Sequence, residues 1–277
     1  MVISEEYMLI CPVCAEKLFL SNKTFRCKNH HSYDLSRSGY CNLLAGSRNG
    51  EYIGDSKEMV ISRRNFLDSG AYEPLRIALC KKALEYAKTE CVSLLDAGCG
   101  EGYYTSAFVS SLVEAGHNVK AVGIDISKSA ADAAAKRDKL TQYITASSYH
   151  MPVEDNSIDI LFSLFAPTPP DEFKRVLKEN GKIIIAVPGR EHLWELKEAI
   201  YDAPYENDEN KHGLDGFKLI EKEKICYKAH IGSAENIRAL FSMTPYIHRT
   251  GRESIEKLNS LNELDLTLSF VILTFSK

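Results

Sequence analysis

The residues best suited to chemistry stand near the front of this chain. Cys11 and Cys14 form a C-x2-C pair, and after twelve intervening residues Cys27 opens a C-x3-H pair with His31. Two close pairs at this separation bring three thiolates and one imidazole to a tetrahedral Zn2+. A closed four-ligand site is structural: it holds a small module together and does not activate water. The adjacent His30 and the further thiol of Cys41 leave the ligand set open at this stage.

A second cluster lies in LLDAGCGEGYY, residues 94–104. Gly98, Gly100 and Gly102 let the backbone turn sharply and approach a ligand, and Tyr103 stands where G-x-G-x-x-G would place its last glycine. Asp96 ends the apolar run before the turn. Asp125 ends the next run, in GIDIS, where a carboxylate accepts both ribose hydroxyls. An acid aimed into the pocket ahead of the glycines repels a dinucleotide pyrophosphate. It suits a ligand with an amino group and a positive centre, which is S-adenosylmethionine (SAM). A bare turn and a nicotinamide site are the alternatives.

The elements that must position these residues follow from the pattern of apolar runs. CVSLLDAG (91–98), KAVGIDIS (120–127), QYITAS (142–147), SIDILFSLFA (157–166) and KIIIAVPG (182–189) read as strands. Helices at 103–116, 129–138 and 170–181 alternate with them, and two more precede them at 55–69 and 73–88. Such alternation predicts a parallel sheet with helices on both faces. The tail adds strands in FKLIEKEKICYKAHI and LTLSFVILTFS, including an antiparallel pair, around a helix in SAENIRALFSM. The expected fold is therefore α/β and Rossmann-like, with a mostly parallel seven-stranded sheet and a small N-terminal zinc-binding module. AGSRNGEYIG (45–54) reads as a linker and divides the chain into a module at 1–50 and a larger domain at 51–277.

Composition agrees with this division. The chain has 277 residues, 44% hydrophobic and 26% charged, which excludes a disordered or collagen-like protein. No apolar run reaches the roughly 18 residues of a membrane span, and the acidic start MVISEEYMLI is unlike a signal peptide. A cytoplasmic protein is expected, and in a reducing compartment clustered cysteines hold metal. The formal charge is −4, yet residues 17–64 carry nine basic and four acidic side chains. Lys17, Lys23, Arg26, Lys28 and Arg37 are candidates to grip a phosphate backbone, with Arg48, Arg63 and Arg64 extending that surface.

Taken in order, CPVC, RCKNHHSYDLSRSGYCNLL, DSKEMVISRRNFLDSGAYEPLR, LLDAGCGEGYYT, ASSYHMP, FAP, PGREHLWELK and SMTPY resemble the RlmA family. These are zinc-containing class I methyltransferases that modify N1 of a guanine in a hairpin loop of 23S ribosomal RNA. The resemblance covers nearly the whole chain. It implies zinc on Cys11, Cys14, Cys27 and His31, and cofactor contacts from Tyr72 in GAYEPL, the Gly98–Tyr103 turn and His192 in PGREHL. It also implies 23S rRNA as partner, a homodimer, and membership of a family in which some branches are linked to macrolide resistance. FKRVLKENGKIIIAVPG resembles the R-V-L-K-x-G-G segment of such enzymes, with Asn180 expected in a left-handed turn in place of the first glycine.

For the reaction itself, Phe165 in FAPTPP is a candidate to stack on an extruded base. Glu154, Asp155, Asp171 and Glu172 are candidates to accept the N1 proton. Two other functions compete: a SAM enzyme acting on a small molecule or protein, and a non-catalytic rRNA-binding protein with a SAM fold.

Overall fold

A computed structural model describes residues 5–44, 54–209, 213–244, 246 and 250–277. The expected boundary near residue 50, Arg48 and most of the 45–54 linker lie outside the described residues.

The front of the chain forms an antiparallel sheet of four short strands, β1 (Glu5–Ile10), β2 (Lys17–Ser21), β3 (Thr24–Arg26) and β4 (Ser32–Asp34), followed by β5 (Cys41–Asn42). Helices α1 (Lys57–Asp68) and α2 (Glu73–Tyr86) come next. The alternating region then runs β6 (Cys91–Ala97), α3 (Tyr103–Glu114), β7 (Asn118–Asp125), α4 (Lys128–Arg137), β8 (Thr141–Thr145), β9 (Ile158–Leu164), α5 (Pro170–Val176) and β10 (Leu177–Pro188). The tail holds α6 (Trp194–Ile200), β11 (Lys218–Ile231), α7 (Ala234–Ser242), α8 (Arg252–Asn259) and β12 (Leu264–Ser276).

Seven of these strands form the expected sheet, in the order β11-β12-β10-β9-β6-β7-β8. The pairs from β8 to β10 are parallel, and β12 runs antiparallel to both β10 and β11. The strand order reverses at β6, so β6 and its glycine turn sit at the switch point where such sheets bind ligands. The central strands are apolar throughout because both sheet faces are covered. Along β12, Leu266, Leu268, Phe270 and Ile272 join one core cluster, while Val271, Leu273 and Phe275 join the other.

The structure departs from the sequence reading in several places. The sheet has eight strands, because β5 pairs in parallel with β8 at Cys41–Ile144 and Asn42–Thr145. The helix expected over 170–181 stops at Val176, and Leu177 instead enters β10 opposite Ile158, fully buried. Helical continuation would lose that burial. Asn180 falls in the irregular stretch of β10 between Leu177 and Lys182 and does not adopt a positive φ. Helices α6 and α8 and the short strands of the front sheet were not read from the sequence.

The zinc module is not a body hung on a tether. Met8, Leu9, Leu18, Phe25 and Leu43 share one buried cluster with Leu95, Val122, Ile124 and Ile144 of the large sheet. Ile10 donates its N–H to Pro152 at 3.0 Å, Glu154 donates to Met8 at 3.0 Å, and Leu43 donates to Thr145 at 2.9 Å. Where helices were expected on both faces, this second face carries α5 and the module. We therefore expect Leu9→Ala, at a fully buried position, to cost about 2–5 kcal/mol. Urea unfolding followed by tryptophan fluorescence should show the whole transition moving, whereas an independent module would leave it in place.

Candidate active site and zinc centre

The first knuckle, CPVC, follows β1, and the second, CKNHH, follows β3, so two hairpin ends face each other. Cys11, Cys14, Cys27 and His31 present their ligand atoms within 4.8 Å of one another. His31 Nδ1 lies 3.5, 3.4 and 3.5 Å from the sulfurs of Cys11, Cys14 and Cys27, and Cys14 and Cys27 are 3.7 Å apart. Metal bonds of about 2.3 Å to sulfur and 2.0–2.1 Å to nitrogen give tetrahedral edges of about 3.8 Å and 3.5 Å. The four side chains therefore fit Zn2+. Burial raises the Cys11 thiol, but the Tyr33 hydroxyl at 3.1 Å and the N–H groups of Val13 and Cys14 bring it down to about 7, which favours the thiolate a metal needs. Cys41 lies outside the cluster, buried with its thiol toward the Tyr33 carbonyl, and His30 is exposed with φ 64°.

The glycine turn opens a cavity of about 320 Å³ beyond the ends of β6, β7 and β9, covered by α1 and the start of α2. Gly98, with φ 92°, brings the turn against Ala166, where an added Cβ would meet that side chain at 2.4 Å. Gly100, with φ 55°, meets nothing, so its backbone is open to a ligand. Gly102 caps α3 in the left-handed conformation and packs on Ala134. Asp125 accepts N–H bonds from Gly100 at 2.9 Å and Ser127 at 2.8 Å, fixing the turn. Each of its oxygens keeps a second lone pair for a ribose hydroxyl. Tyr103 gives its hydroxyl to Glu73 at 3.3 Å, and its ring lies under the guanidinium groups of Arg76 and Arg137.

Two carboxylates define the electrostatics of this cavity. Asp96 is buried, takes a hydrogen bond from Thr105 at 2.5 Å, and leaves Oδ1 without a partner. Glu101, inside the glycine turn, is paired with Arg137 at 2.7 Å and leaves Oε1 without a partner. Burial pushes both acids up to about 7, against the hydrogen bond from Thr105 and the charge of Arg137 respectively. An orphan oxygen on a buried acid calls for a cationic donor, which suits the ammonium group of SAM. The sequence reading missed Glu101, although an acid set between two glycines was a visible signal.

A second cavity, of about 540 Å³, adjoins the first, and both are lined by Arg63, Tyr72, Phe165, Ala166 and Met243. His192 lines only this second cavity. Its Nδ1 accepts the Ser269 backbone N–H at 3.3 Å, so Nε2 carries the proton and donates to the Tyr72 hydroxyl at 3.3 Å. Burial and then the charge of Lys197 lower His192 to about 3, which keeps the ring neutral. Phe165 stands at the mouth, half-exposed with φ 55°, a strained backbone for a bulky residue. Arg63, read from the sequence as part of an RNA-binding surface, lines both cavities and is paired with Asp55 at 2.5 Å. The four acids considered as proton acceptors line neither. Asp155 and Glu172 bind Arg175, and Glu154 binds Lys17.

The sheet order and the first cavity define a SAM-dependent methyltransferase of class I with a zinc ribbon built onto one sheet face. Comparison with known proteins narrows this class. Residues 9–47 match the zinc-ribbon family described as "RlmA, N-terminal", and residues 88–238 match a methyltransferase domain. A 23S rRNA (guanine(748)-N(1))-methyltransferase of Streptomyces fradiae is 32% identical over 196 residues, covering 69% of this chain and 67% of that one. YxjB of Bacillus subtilis, provisionally named a 23S rRNA (guanine-N1)-methyltransferase, is 28% identical over 276 residues, 96% of each chain. The protein belongs to the RlmA family.

A cationic ligand favours ionised Asp96, so below about pH 7 binding of SAM must expel a proton, and affinity should rise with pH and level off above it. Calorimetry in buffers of different ionisation enthalpy reads this release directly; Asp96→Asn should reduce it and weaken SAM at least about ten-fold. Cys14→Ser should release zinc, measured by elemental analysis; unchanged zinc content would refute the ligand set.

Proposed function

We propose that the protein transfers the methyl group of SAM to N1 of a guanine in a hairpin loop of 23S rRNA. The observation that carries this reading is the second cavity: it opens onto the cofactor cavity, is walled by Phe165, Tyr205 and Tyr246, and has room for a flat base. The names of the relatives point to the same substrate. No helix among the described residues is long and apolar enough to cross a membrane.

When bound, SAM supplies an electrophilic methyl group, and alignment with exclusion of water is what remains for the protein. Asp96 and Glu101 hold the ammonium end, and Asp125 holds the ribose. Tyr72 and His192 form the boundary between cofactor and base, which keeps the reacting ends facing each other. Phe165 stacks on the base extruded from its loop, where extrusion is cheaper than from a duplex. The N1 proton passes to water, because none of the four loop acids reaches either cavity and no carboxylate among the described residues lines the second one. Lys23, Arg26, Lys28 and Arg37 are exposed on the zinc module and hold the RNA backbone. A homodimer, implied by the family resemblance, is part of this proposal and is tested by light scattering.

The deciding experiment is transfer of labelled methyl from SAM to unmodified 23S rRNA, with the product nucleoside identified and mapped. N1-methylguanine at one hairpin loop is the expected product. Tight SAM binding with no transfer to RNA would favour a small-molecule or protein substrate. Phe165→Ala should lower transfer about ten-fold or more while leaving SAM affinity within two-fold, since stacking on a base contributes about 1–3 kcal/mol.

A further inference from the structure

Lys197, on α6, is fully buried, yet no carboxylate among the described residues lies within ion-pair distance of it. Its ammonium donates to the Tyr205 carbonyl at 2.8 Å and to Asn207 Oδ1 at 3.0 Å. It also lies 4.8 Å from the ring centre of Tyr205 and 5.8 Å from that of Tyr246. Of the acids in the neighbouring segments, Glu195 is engaged with Lys228 and Thr267, Glu198 with the Trp194 indole, and Glu206 with Arg190, although the charge of Glu206 also acts on Lys197 from beyond ion-pair distance and partly offsets the effect of burial. The remaining titratable groups packed around it are His192 and the phenols of Tyr201, Tyr205 and Tyr246. A buried cation without a counter-ion is costly, and a methionine would fill the same space without that cost. The charge therefore calls for an explanation beyond packing.

Its surroundings supply one. Tyr205, Asn207 and Tyr246, the groups that hold the ammonium, are walls of the second cavity. No carboxylate lines that cavity among the described residues, and Arg63, at its junction with the cofactor cavity, is already paired with Asp55. Lys197 therefore supplies the positive charge without a paired carboxylate, one layer behind the wall. The charge reaches the lining, since it helps to depress His192.

We infer that Lys197 is a positioning residue that fixes the Tyr205–Asn207 wall and tunes the second cavity for the N1-deprotonated form of guanine. The inference rests on the guanine reading given above. A cavity with positive potential and no acid favours a base whose ring nitrogen gives up a proton and whose charge spreads to a carbonyl oxygen. In the reaction the N1–H proton leaves to water, the N1 electron pair forms the bond to the methyl carbon, and the carbon–sulfur pair returns to sulfur. One proton is released per methyl transferred, and Lys197 itself neither gains nor loses one. Adenine has no such N1 proton to lose, so the same charge gives it no equivalent advantage.

The test is the pH dependence of single-turnover methyl transfer to the unmodified hairpin, with SAM affinity measured alongside. In the wild-type protein the acid limb should lie at least about one pH unit below the N1 ionisation of the same hairpin free in solution. Lys197→Met should move that limb up by about one unit, with about ten-fold slower transfer on its acid side, rates converging at high pH, and SAM affinity within two-fold. A uniform loss with an unmoved limb, or a loss that follows SAM affinity, would overturn the inference. If Lys197→Met does not fold, the wild-type comparison decides: coincidence of the limb with the free hairpin also overturns it. Failure of the guanine reading itself shows earlier, as absence of N1-methylguanine with the wild-type protein.

Discussion

Two carboxylates buried beside a glycine turn, each with one oxygen left unpaired, set the terms for the rest of this molecule. Asp96 and Glu101 resist ionisation in the free protein because burial outweighs the help from Thr105 and Arg137. Holding them there requires a rigid frame. The central strand β6 supplies it, pinned between β7 and β9, with Asp125 drawing the turn toward the end of β7 through Gly100. The acids thus store an unsatisfied demand for positive charge, which suits a cationic cofactor.

The zinc ribbon enters the same frame from the opposite side of the sheet. Its apolar residues continue the core beneath β6, β7 and β8, and β5 extends the sheet edge. Metal binding at its far end is coupled by packing to the sheet that carries the cofactor cavity. The module's exposed basic residues are consequently held at a fixed place relative to that cavity.

The second cavity shows a different use of burial. The first cavity offers orphan acids; the second offers aromatic walls, a neutral histidine and a cation behind them. On the proposed function, these neighbouring environments of opposite character separate cofactor and base. Tyr72, bonded to His192 and lining both spaces, stands on the border. Strain at Phe165 falls on the same border, where the chain leaves β9.

Much of this was legible in the sequence because the signals are local. Strand and helix periodicity placed β6 to β10, the glycines and the two aspartates marked the turn, and cysteine spacing marked a cluster fit for zinc. Local signals failed where a partner far along the chain decides. Leu177 leaves its helix because Ile158 offers burial, and β5 exists only because β8 offers an edge. Cys41 and His30 carry the same chemistry as the ligands, and only folding turned one into the core and the other to solvent. His192 reads as ordinary until Ser269 and Tyr72 fix its proton, and Lys197 reads as a surface charge until Tyr205 and Tyr246 enclose it. Residue type and spacing determine which chemistry is available. Burial and long-range contacts decide which of those groups are charged, neutral or paired, because those properties depend on neighbours brought together only in three dimensions.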